Sequence, residues 1–312
     1  MKEIDEQQNP EVDNTPDYTY TNNSSNDTVV SNTEDSDIES SPTPPESIKV
    51  HITDKTSPIV LLFGAPASGK TMTIVRLCKF LRSKGYKLEV DSNFCRNAWE
   101  YKKNAVRFNS MLDTQEALKG TNHNDFLFIK VTDKKGAVIC QILEGAGEDY
   151  FARNEIDGYS REEVPFPNYM TDVFGSPNKK VWMFLTEPKW EVEPEDKEAY
   201  VRRIEFCKKQ CAGVRDKHII LFNKIDKTNA ALDNSRVHVK TAFKSCKDEY
   251  PGLFDIFKNL SPLPWKSKYS CKFVPFSTGN YGMNIKDSRH YTPSADAHPI
   301  RLWKAILKSI KG

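Results

Sequence analysis

The chain after about residue 56 consists of short apolar runs separated by longer stretches of mixed character. Short runs rich in β-branched and aromatic residues are typical of strands that are buried on both faces of a parallel sheet. Four runs have this character, namely 58–63, 181–187, 218–223 and 271–277. Several intervening stretches space their apolar residues three or four apart, which predicts helices that bury one face. The predicted helices are 71–85, about 95–118, 195–212, about 228–248 and 300–312.

One further pair of runs differs because only a tight turn separates its members. Residues 125–145 contain two apolar runs joined by an Asp-Lys-Lys-Gly turn, which predicts an antiparallel hairpin. Another short strand is expected at 86–91. Strands that alternate with helices imply a mostly parallel sheet with helices on both faces, to which the hairpin adds one antiparallel edge strand. The pattern therefore predicts an α/β, three-layer domain over residues 57–312.

The first 56 residues differ from the rest in composition. Residues 1–50 carry twelve Asp and Glu against two Lys, whereas the remainder carries 43 Lys and Arg against 31 Asp and Glu. Because the segment is polar and almost without apolar periodicity, we expect a disordered acidic tail over 1–56. The sequence shows neither the roughly 18 apolar residues that span a bilayer nor the apolar core of a signal peptide, so a cytoplasmic location is expected.

A loop of small residues directly follows the first apolar run. Its sequence, Gly64-Ala-Pro-Ala-Ser-Gly69-Lys70-Thr71, matches G-x-x-x-x-G-K-[ST] between a predicted strand and a predicted helix. Such a loop turns its N–H groups toward phosphate oxygens, and the helix adds the positive end of its dipole. We expect Lys70 to lie along the β- and γ-phosphates and the Thr71 hydroxyl to ligate Mg²⁺. The residues expected to bind the phosphates are Gly64, Ala67, Ser68, Gly69, Lys70, Thr71 and Met72.

A second motif, Asn223-Lys224-Ile225-Asp226, stands at the end of another predicted strand and is expected to select the base. Guanine presents two donors on one edge, its N1–H and its 2-amino group, and the two oxygens of a carboxylate match them. Adenine has no such pair, so the wrong base would leave the charge of Asp226 unpaired. We expect the stem of Lys224 to lie over the base and Asn223 to tie this loop to the phosphate loop.

Together the two motifs resemble those of the Ras-like and translation-factor (TRAFAC) class of P-loop GTPases. The long hairpin is also loosely similar to that of bacterial accessory or conflict-system GTPases. The resemblance lies in the order of motifs over about 57–312. It implies a P-loop NTPase fold, Mg²⁺ as cofactor and GTP or GDP as ligand. It also implies a second base-contacting loop, at Ser277 and Thr278, where the backbone N–H of Thr278 would reach the guanine O6.

The resemblance further implies an Asp-x-x-Gly motif at the end of the hairpin, and here the chain departs from the family. Glu144-Gly-Ala-Gly147 stands in its place, and Glu148 follows where relatives keep a water-orienting Gln or His. We expect Glu144 to reach Mg²⁺ through a water and Gly147 to donate its N–H to the γ-phosphate. A carboxylate at 148 accepts a proton from water but repels the phosphate, so unassisted hydrolysis should be slow. The catalytic candidates are therefore Lys70, Gly147 and Glu148.

A switch threonine should complete a metal set with Thr71 and Glu144. Thr121 is the first choice shortly before the hairpin, and Thr114 is the alternative.

Residues 148–180 show no strong periodicity, which is typical of a mobile switch region. Their Arg153 and Arg161 either neutralise the transferred phosphoryl group or lie at the surface. The aromatic residues of the segment either pack in the core or present a partner surface, and core packing is the simpler expectation.

The function expected from these residues is slow hydrolysis of GTP to GDP and phosphate by a molecular switch. A non-hydrolysing sensor of GTP and GDP, serving as an interaction module, is the alternative. An ATP-dependent P-loop kinase or ATPase is less favoured, because it leaves Asn223–Asp226 without a role. A protein effector or GTPase activator is the expected partner, and the sequence carries no clear nucleic-acid or membrane signal.

Overall fold

The computed structural model describes residues 43–44, 47–114, 126–151, 159–233, 235–259, 267–283 and 289–312. Its main sheet is made of β1 (Ile59–Phe63), β2 (Lys87–Val90), β3 (Leu127–Thr132), β4 (Val138–Glu144), β5 (Lys180–Thr186), β6 (Lys217–Phe222) and β7 (Cys271–Pro275). The α-helices are α1 (Lys70–Ser83), α2 (Trp99–Asp113), α3 (Gly147–Tyr150), α4 (Asn168–Gly175), α5 (Pro194–Phe206), α6 (Val239–Glu249) and α7 (Ala297–Lys311). A separate hairpin of β8 (Gly279–Met283) and β9 (Arg289–Pro293) follows β7.

The strands of the main sheet lie in the order β2-β3-β4-β1-β5-β6-β7. Strands β4, β1, β5, β6 and β7 are parallel, whereas β3 is antiparallel to both of its neighbours. The predicted α/β fold, with a mostly parallel sheet and one antiparallel hairpin, is confirmed. The antiparallel strand β3 lies one position in from the edge, because β2 pairs along its outer side. The alternately exposed and half-buried residues of β2 suit an edge position.

Side chains that alternate along each strand divide the interior into two cores, one on each face of the sheet. In β1, Ile59, Leu61 and Phe63 face one core, and Val60 and Leu62 face the other. The first core is covered mainly by α4, α5 and α6, and the second by α1, α2 and α7. The buried face of α7 shows that this helix covers the sheet, as the commoner interpretation of its apolar spacing predicts. Helices on both faces make three layers.

Two features of the second half of the chain differ from the sequence-based expectations. The helix expected from about 228 begins only at Val239. The preceding residues form turns because side chains capture the local backbone: Asp233 accepts hydrogen bonds from the N–H groups of Ser235 and Arg236. The ring of His238 then caps α6 by accepting from the Thr241 N–H. The hairpin of β8 and β9 has no counterpart in the sequence analysis, because its strands lack an apolar run.

Part of the segment assigned to the tail packs against the domain. Ile48 is 2% exposed and Ile52 is 8% exposed, and both belong to the first core. The N–H of His51 donates to the Phe94 carbonyl at 2.7 Å. The packed part of the chain thus begins before the predicted boundary at residue 56. The predicted disorder of residues 1–42 lies outside the described residues and stays a prediction.

Four aromatic residues that follow Gly147 contribute to the core. Tyr150, Phe151, Phe166 and Tyr169 are all buried, which agrees with the core-packing alternative for these aromatic residues. Within the part of the chain that the structure describes, every helix is too short or too polar to cross a bilayer.

A buried histidine at the start of β6 predicts a loss of stability in acid. His218 lies between the rings of Phe184 and Phe257, with centroids at 6.2 and 5.1 Å, and its Nε2 has no hydrogen-bond partner among the described residues. Burial lowers the pKa of His218 to about 4. An unfolded histidine titrates near 6.5, so the unfolded chain binds more protons between these values. The contribution of neutral His218 to the free energy of unfolding is therefore complete above pH 6.5. Up to about 3 kcal/mol of it is lost as the pH falls toward 4.

Urea unfolding of the wild type and of His218→Leu at pH 7 and pH 4.5 measures this effect. The drop in unfolding free energy between the two pH values should be smaller in His218→Leu by on the order of 2 kcal/mol. His51→Ala, a change at an exposed histidine, serves as the control and should keep the wild-type drop. Equal drops in all three proteins would show that His218 is not a buried neutral group.

Candidate functional site

The loop between β1 and α1 leaves a row of backbone donors available to a ligand. Its turn places Ala67 at φ 60° and Gly69 at φ 85°, and a Cβ on Gly69 would meet Asn223 Nδ2 at 2.7 Å. No hydrogen bond within the described residues uses the N–H groups of Gly69, Lys70, Thr71 or Met72. These consecutive donors at the start of a helix form a concavity that suits an anion. The buried Ser68 hydroxyl beside them also has no partner in the described part.

Lys70, the first residue of α1, lies over the same loop. It is 6% exposed, and its Nζ donates to the carbonyls of Gly64 at 3.0 Å and Ala65 at 3.2 Å. Burial lowers the pKa of Lys70 to about 8, against the opposing effect of nearby carboxylates, chiefly Glu144 and Glu148. The ammonium is therefore held among carbonyls at the mouth of the loop, where a phosphate can take over its hydrogen bonds.

Thr71 and Glu144, both expected to ligate a metal, lie in contact. The Thr71 hydroxyl donates a hydrogen bond to Glu144 Oε1 at the end of β4, which neighbours β1 in the sheet. A hydroxyl beside a carboxylate offers the oxygen ligands that Mg²⁺ prefers, and Mg²⁺ needs few of them from the protein. The described residues contain no larger group of His, Cys, Asp and Glu suited to a metal ion. The residues present therefore fit a magnesium ion that keeps most of its waters.

The structure describes only one of the two candidates for the switch threonine. Thr121 lies outside the described residues. Thr114 follows the last residue of α2, and its carbonyl accepts a hydrogen bond from Lys79.

The turn after β4 approaches the phosphate loop closely. A Cβ on Gly147 would lie 2.5 Å from both Cα and N of Pro66, so only glycine fits against this backbone. Glu148 follows in the first turn of α3, and its carboxylate is near enough to Lys70 to raise the pKa of the ammonium. Both residues named from the departing motif thus lie beside the loop.

The loop after β6 is docked on the phosphate loop. Asn223 Nδ2 donates to the Ser68 carbonyl at 3.1 Å, and Lys224 Nζ donates to the Ala67 carbonyl at 3.1 Å. Lys224 adopts φ 52° and pairs with the carboxylate of Glu187. The hydrogen bond of Asn223 is the contact expected between the two loops, and Lys224 adds a second one. The expected place of the Lys224 stem over a base stays a prediction. The buried Oδ1 of Asn223 has no partner in the described part of the chain.

Asp226 meets the loop after β7, because β6 and β7 are adjacent parallel strands. The Ser277 hydroxyl donates to Asp226 Oδ1 at 2.5 Å, while the Asp226 side chain remains exposed. The Ser277 N–H donates to Nδ1 of His298 at 3.1 Å. The N–H of Thr278 has no acceptor among the described residues, although Thr278 is only 6% exposed. The loops after β6 and β7 thus contribute an exposed carboxylate, from Asp226, and an unused backbone N–H, from Thr278.

Sequence reasoning missed several residues of this site. Glu187 follows β5, and its place at the carboxyl end of a predicted parallel strand was a usable signal. His298 lies on α7 and no local pattern connects it to Ser277. Asn104 and Arg107 of α2 lie beside Thr71 and Glu144 without any motif to mark them.

Of the two candidate arginines, only Arg161 lies among the described residues, and it lines a cavity together with Pro66 and Ala67 of the phosphate loop. Arg161 pairs with Asp196 and lies 4.9 Å from the centroid of the Phe151 ring. Arg153 lies outside the described residues.

The chain has the three-layer α/β fold of a P-loop NTPase, with the loop between its central strand and a helix. No family model matches it, and no curated protein matches it.

Several solved structures are similar to the chain, with sequence identities of 12–16%. A Plasmodium falciparum protein described as a nucleolar GTP-binding protein is 14% identical with a TM-score of 0.39, over 84% of this chain and 90% of that one. A Roco2 structure of Methanosarcina barkeri bound to GDP is 16% identical with a TM-score of 0.32, over 85% and 52%. The S. cerevisiae Ski7 GTPase-like domain, bound to GDP and inorganic phosphate, is 12% identical with a TM-score of 0.41, over 81% and 49%. The matches span about half of the latter two chains.

Proposed function

We propose that the chain is a Mg²⁺-dependent guanine nucleotide-binding protein that hydrolyses GTP slowly to GDP and phosphate and acts as a molecular switch. The observation that carries this proposal is the docking of the two loops. Asn223 and Lys224 bond the carbonyls of Ser68 and Ala67, so the phosphate loop and the loop of Asp226 border one site.

The choice of guanine rests on the groups at the Asp226 end. One oxygen of Asp226 is oriented by the Ser277 hydroxyl, and the exposed carboxylate remains available to two donors on a base edge. The unused N–H of Thr278 supplies a donor for a carbonyl oxygen such as the guanine O6. Adenine carries neither that carbonyl nor the paired donors, so it would leave both protein groups unsatisfied.

The phosphate end can stabilise charge that develops during attack of water on a γ-phosphate. The N–H groups of Gly69, Lys70 and Thr71 are held by the start of α1, and the ammonium of Lys70 is held by two loop carbonyls, which is the preorganised arrangement that electrostatic stabilisation requires. Thr71 and Glu144 would hold Mg²⁺, whose charge neutralises phosphate oxygens when it is bound. Glu148 is a poor means to orient water, because its charge repels the phosphate. We therefore propose that turnover is slow without a partner protein.

The second candidate function is a GTP- and GDP-sensing interaction module that does not hydrolyse its ligand. The acidic group at Glu148, beside the loop, favours it. A protein effector or activator remains the proposed partner in either case.

Isothermal titration with GTP, GDP and ATP at saturating Mg²⁺ tests the binding proposal. We expect GTP to bind at least about a hundredfold tighter than ATP. Adenine would leave the Asp226 carboxylate and the Thr278 N–H without hydrogen-bond partners, and the loss of such partners lowers the affinity by about that factor. ATP binding as tight as GTP binding would overturn the assignment of the base. Single-turnover hydrolysis with and without cell extract then separates the switch from the sensor, since only the switch releases phosphate.

A further inference from the structure

Arg203 of α5 is a charged side chain buried beside the first core. It is only 1% exposed, and the ring centroids of Phe166 and Phe206 lie 3.8 and 5.4 Å from its Cζ. Within the part of the chain that the structure describes, no carboxylate lies at ion-pairing distance from it. Its neighbour Arg202, by contrast, is exposed and pairs with the Glu162 carboxylate. A cation buried without an anion is costly to fold, so we expect Arg203 to have a specific role.

Two backbone carbonyls from the segment after Gly147 satisfy this guanidinium. Nε of Arg203 donates to the Tyr150 carbonyl at 2.9 Å, and Nη1 donates to the Glu162 carbonyl at 2.8 Å. The two acceptors are 12 positions apart in the chain, so one side chain joins two separate parts of the segment. Because a guanidinium presents its donors in a rigid fork, it fixes the position of one carbonyl relative to the other.

Tyr150 connects Arg203 to the phosphate loop. It is the last residue of α3, which begins at Gly147, and Lys70 Nζ lies 5.8 Å from the centroid of its buried ring. At the other end of α3, Gly147 lies against the backbone of Pro66. No hydrogen bond among the described residues uses the Gly147 N–H. Arg203 therefore holds one end of a single helical turn whose other end brings an unused donor to the loop.

We propose that Arg203 is a positioning residue for the terminal phosphate of GTP, because its bond to the Tyr150 carbonyl keeps the Gly147 N–H beside the phosphate loop. This inference rests on the proposed function, in which the Gly147 N–H donates to the γ-phosphate. GDP lacks that phosphate, so only the triphosphate uses the position that Arg203 maintains. Arg203 itself contacts neither phosphate nor metal, and its effect passes through the backbone of α3.

Equilibrium binding of GDP and of a non-hydrolysable GTP analogue to the full chain at saturating Mg²⁺ tests this. Arg203→Met keeps a long stem against the two rings and removes both hydrogen bonds. It should weaken the analogue about 30-fold, in line with the loss of a hydrogen bond from a charged group, and weaken GDP less than about threefold.

Arg215→Met is the matched control for this measurement. The Arg215 guanidinium also donates to a backbone carbonyl, that of Pro177, but the residue is exposed and precedes the amino end of β6. The phosphate loop and the base loop follow the carboxyl ends of β1 and β6. Arg215→Met should therefore alter neither affinity.

Hydrogen–deuterium exchange of the nucleotide-free proteins gives a readout that does not depend on binding. Amides in a peptide covering 144–151 should exchange about tenfold faster in Arg203→Met than in the wild type, because α3 loses a bond that holds it. Amides of β6 should keep their wild-type rates in both proteins. Unchanged exchange over 144–151 would show that Arg203 does not hold α3 and would overturn the inference.

Arg203→Lys keeps the charge but cannot bond both carbonyls in the same way, so its analogue affinity should lie between those of the wild type and Arg203→Met. It also provides the measurement if Arg203→Met does not fold. Equal losses for GDP and the analogue, or no loss for either, would overturn the positioning role while leaving guanine nucleotide binding intact. A wild type that binds neither nucleotide would instead overturn the proposed function.

Discussion

Lys70→Ala is expected to abolish measurable GTP binding. In the structure the Lys70 ammonium is 6% exposed and bonds two loop carbonyls, so it is already positioned where phosphate charge would arrive. Removal of one partner from a buried charge pair costs about 3–5 kcal/mol, which corresponds to a loss of affinity of a hundredfold or more. Titration calorimetry with GTP and Mg²⁺ measures it directly.

Lys84→Ala, at the exposed end of α1, removes the same charge away from the loop and should leave the affinity within about threefold, as is usual for a surface charge. The unfolding midpoints of both variants, followed by circular dichroism, show whether the domain remains folded. Lys70→Ala protein that is folded and still binds GTP like the wild type would mean that the loop does not hold the triphosphate.

Asp226→Asn is expected to change which base is bound. The amide offers one acceptor and one donor in place of two acceptors, so one hydrogen bond to the guanine edge is lost and two donors face each other. The Ser277 hydroxyl, 2.5 Å from Oδ1, can still donate to the amide oxygen and thereby turn the NH₂ group toward the base. Xanthine carries an acceptor at the position of the guanine 2-amino group, so it fits this arrangement.

Competition between GTP and XTP for a fluorescent nucleotide measures the change. GTP should bind about a hundredfold more weakly to Asp226→Asn, since hydrogen bonds to charged groups and unpaired donors both contribute, and XTP should bind better than it does to the wild type. Asp248→Asn, an exposed carboxylate on α6, is the matched control. A variant that loses GTP without any gain for XTP would place Asp226 outside the base site.

Strands and the phosphate loop could be predicted because their signals are local. A run such as 58–63 is apolar along its length because β1 is buried on both faces, and the loop motif follows it directly. The expected helix start near 228 was wrong because Asp233 and its neighbours bond the backbone locally, a competition that apolar spacing does not register. The strands of the β8–β9 hairpin have no apolar run, so the pattern held nothing to detect.

The sequence by itself determined the two motifs, their order and the alternation of strands and helices, because each depends on residues close together in the chain. Only the tertiary structure decided which distant groups meet: Asp226 with Ser277, Lys224 with Glu187, and Arg203 with the Tyr150 carbonyl. These meetings depend on strand order, and strand order is set by packing of whole layers rather than by any short stretch. That is why Arg203, buried on α5 against two backbone carbonyls, carries no mark in the sequence.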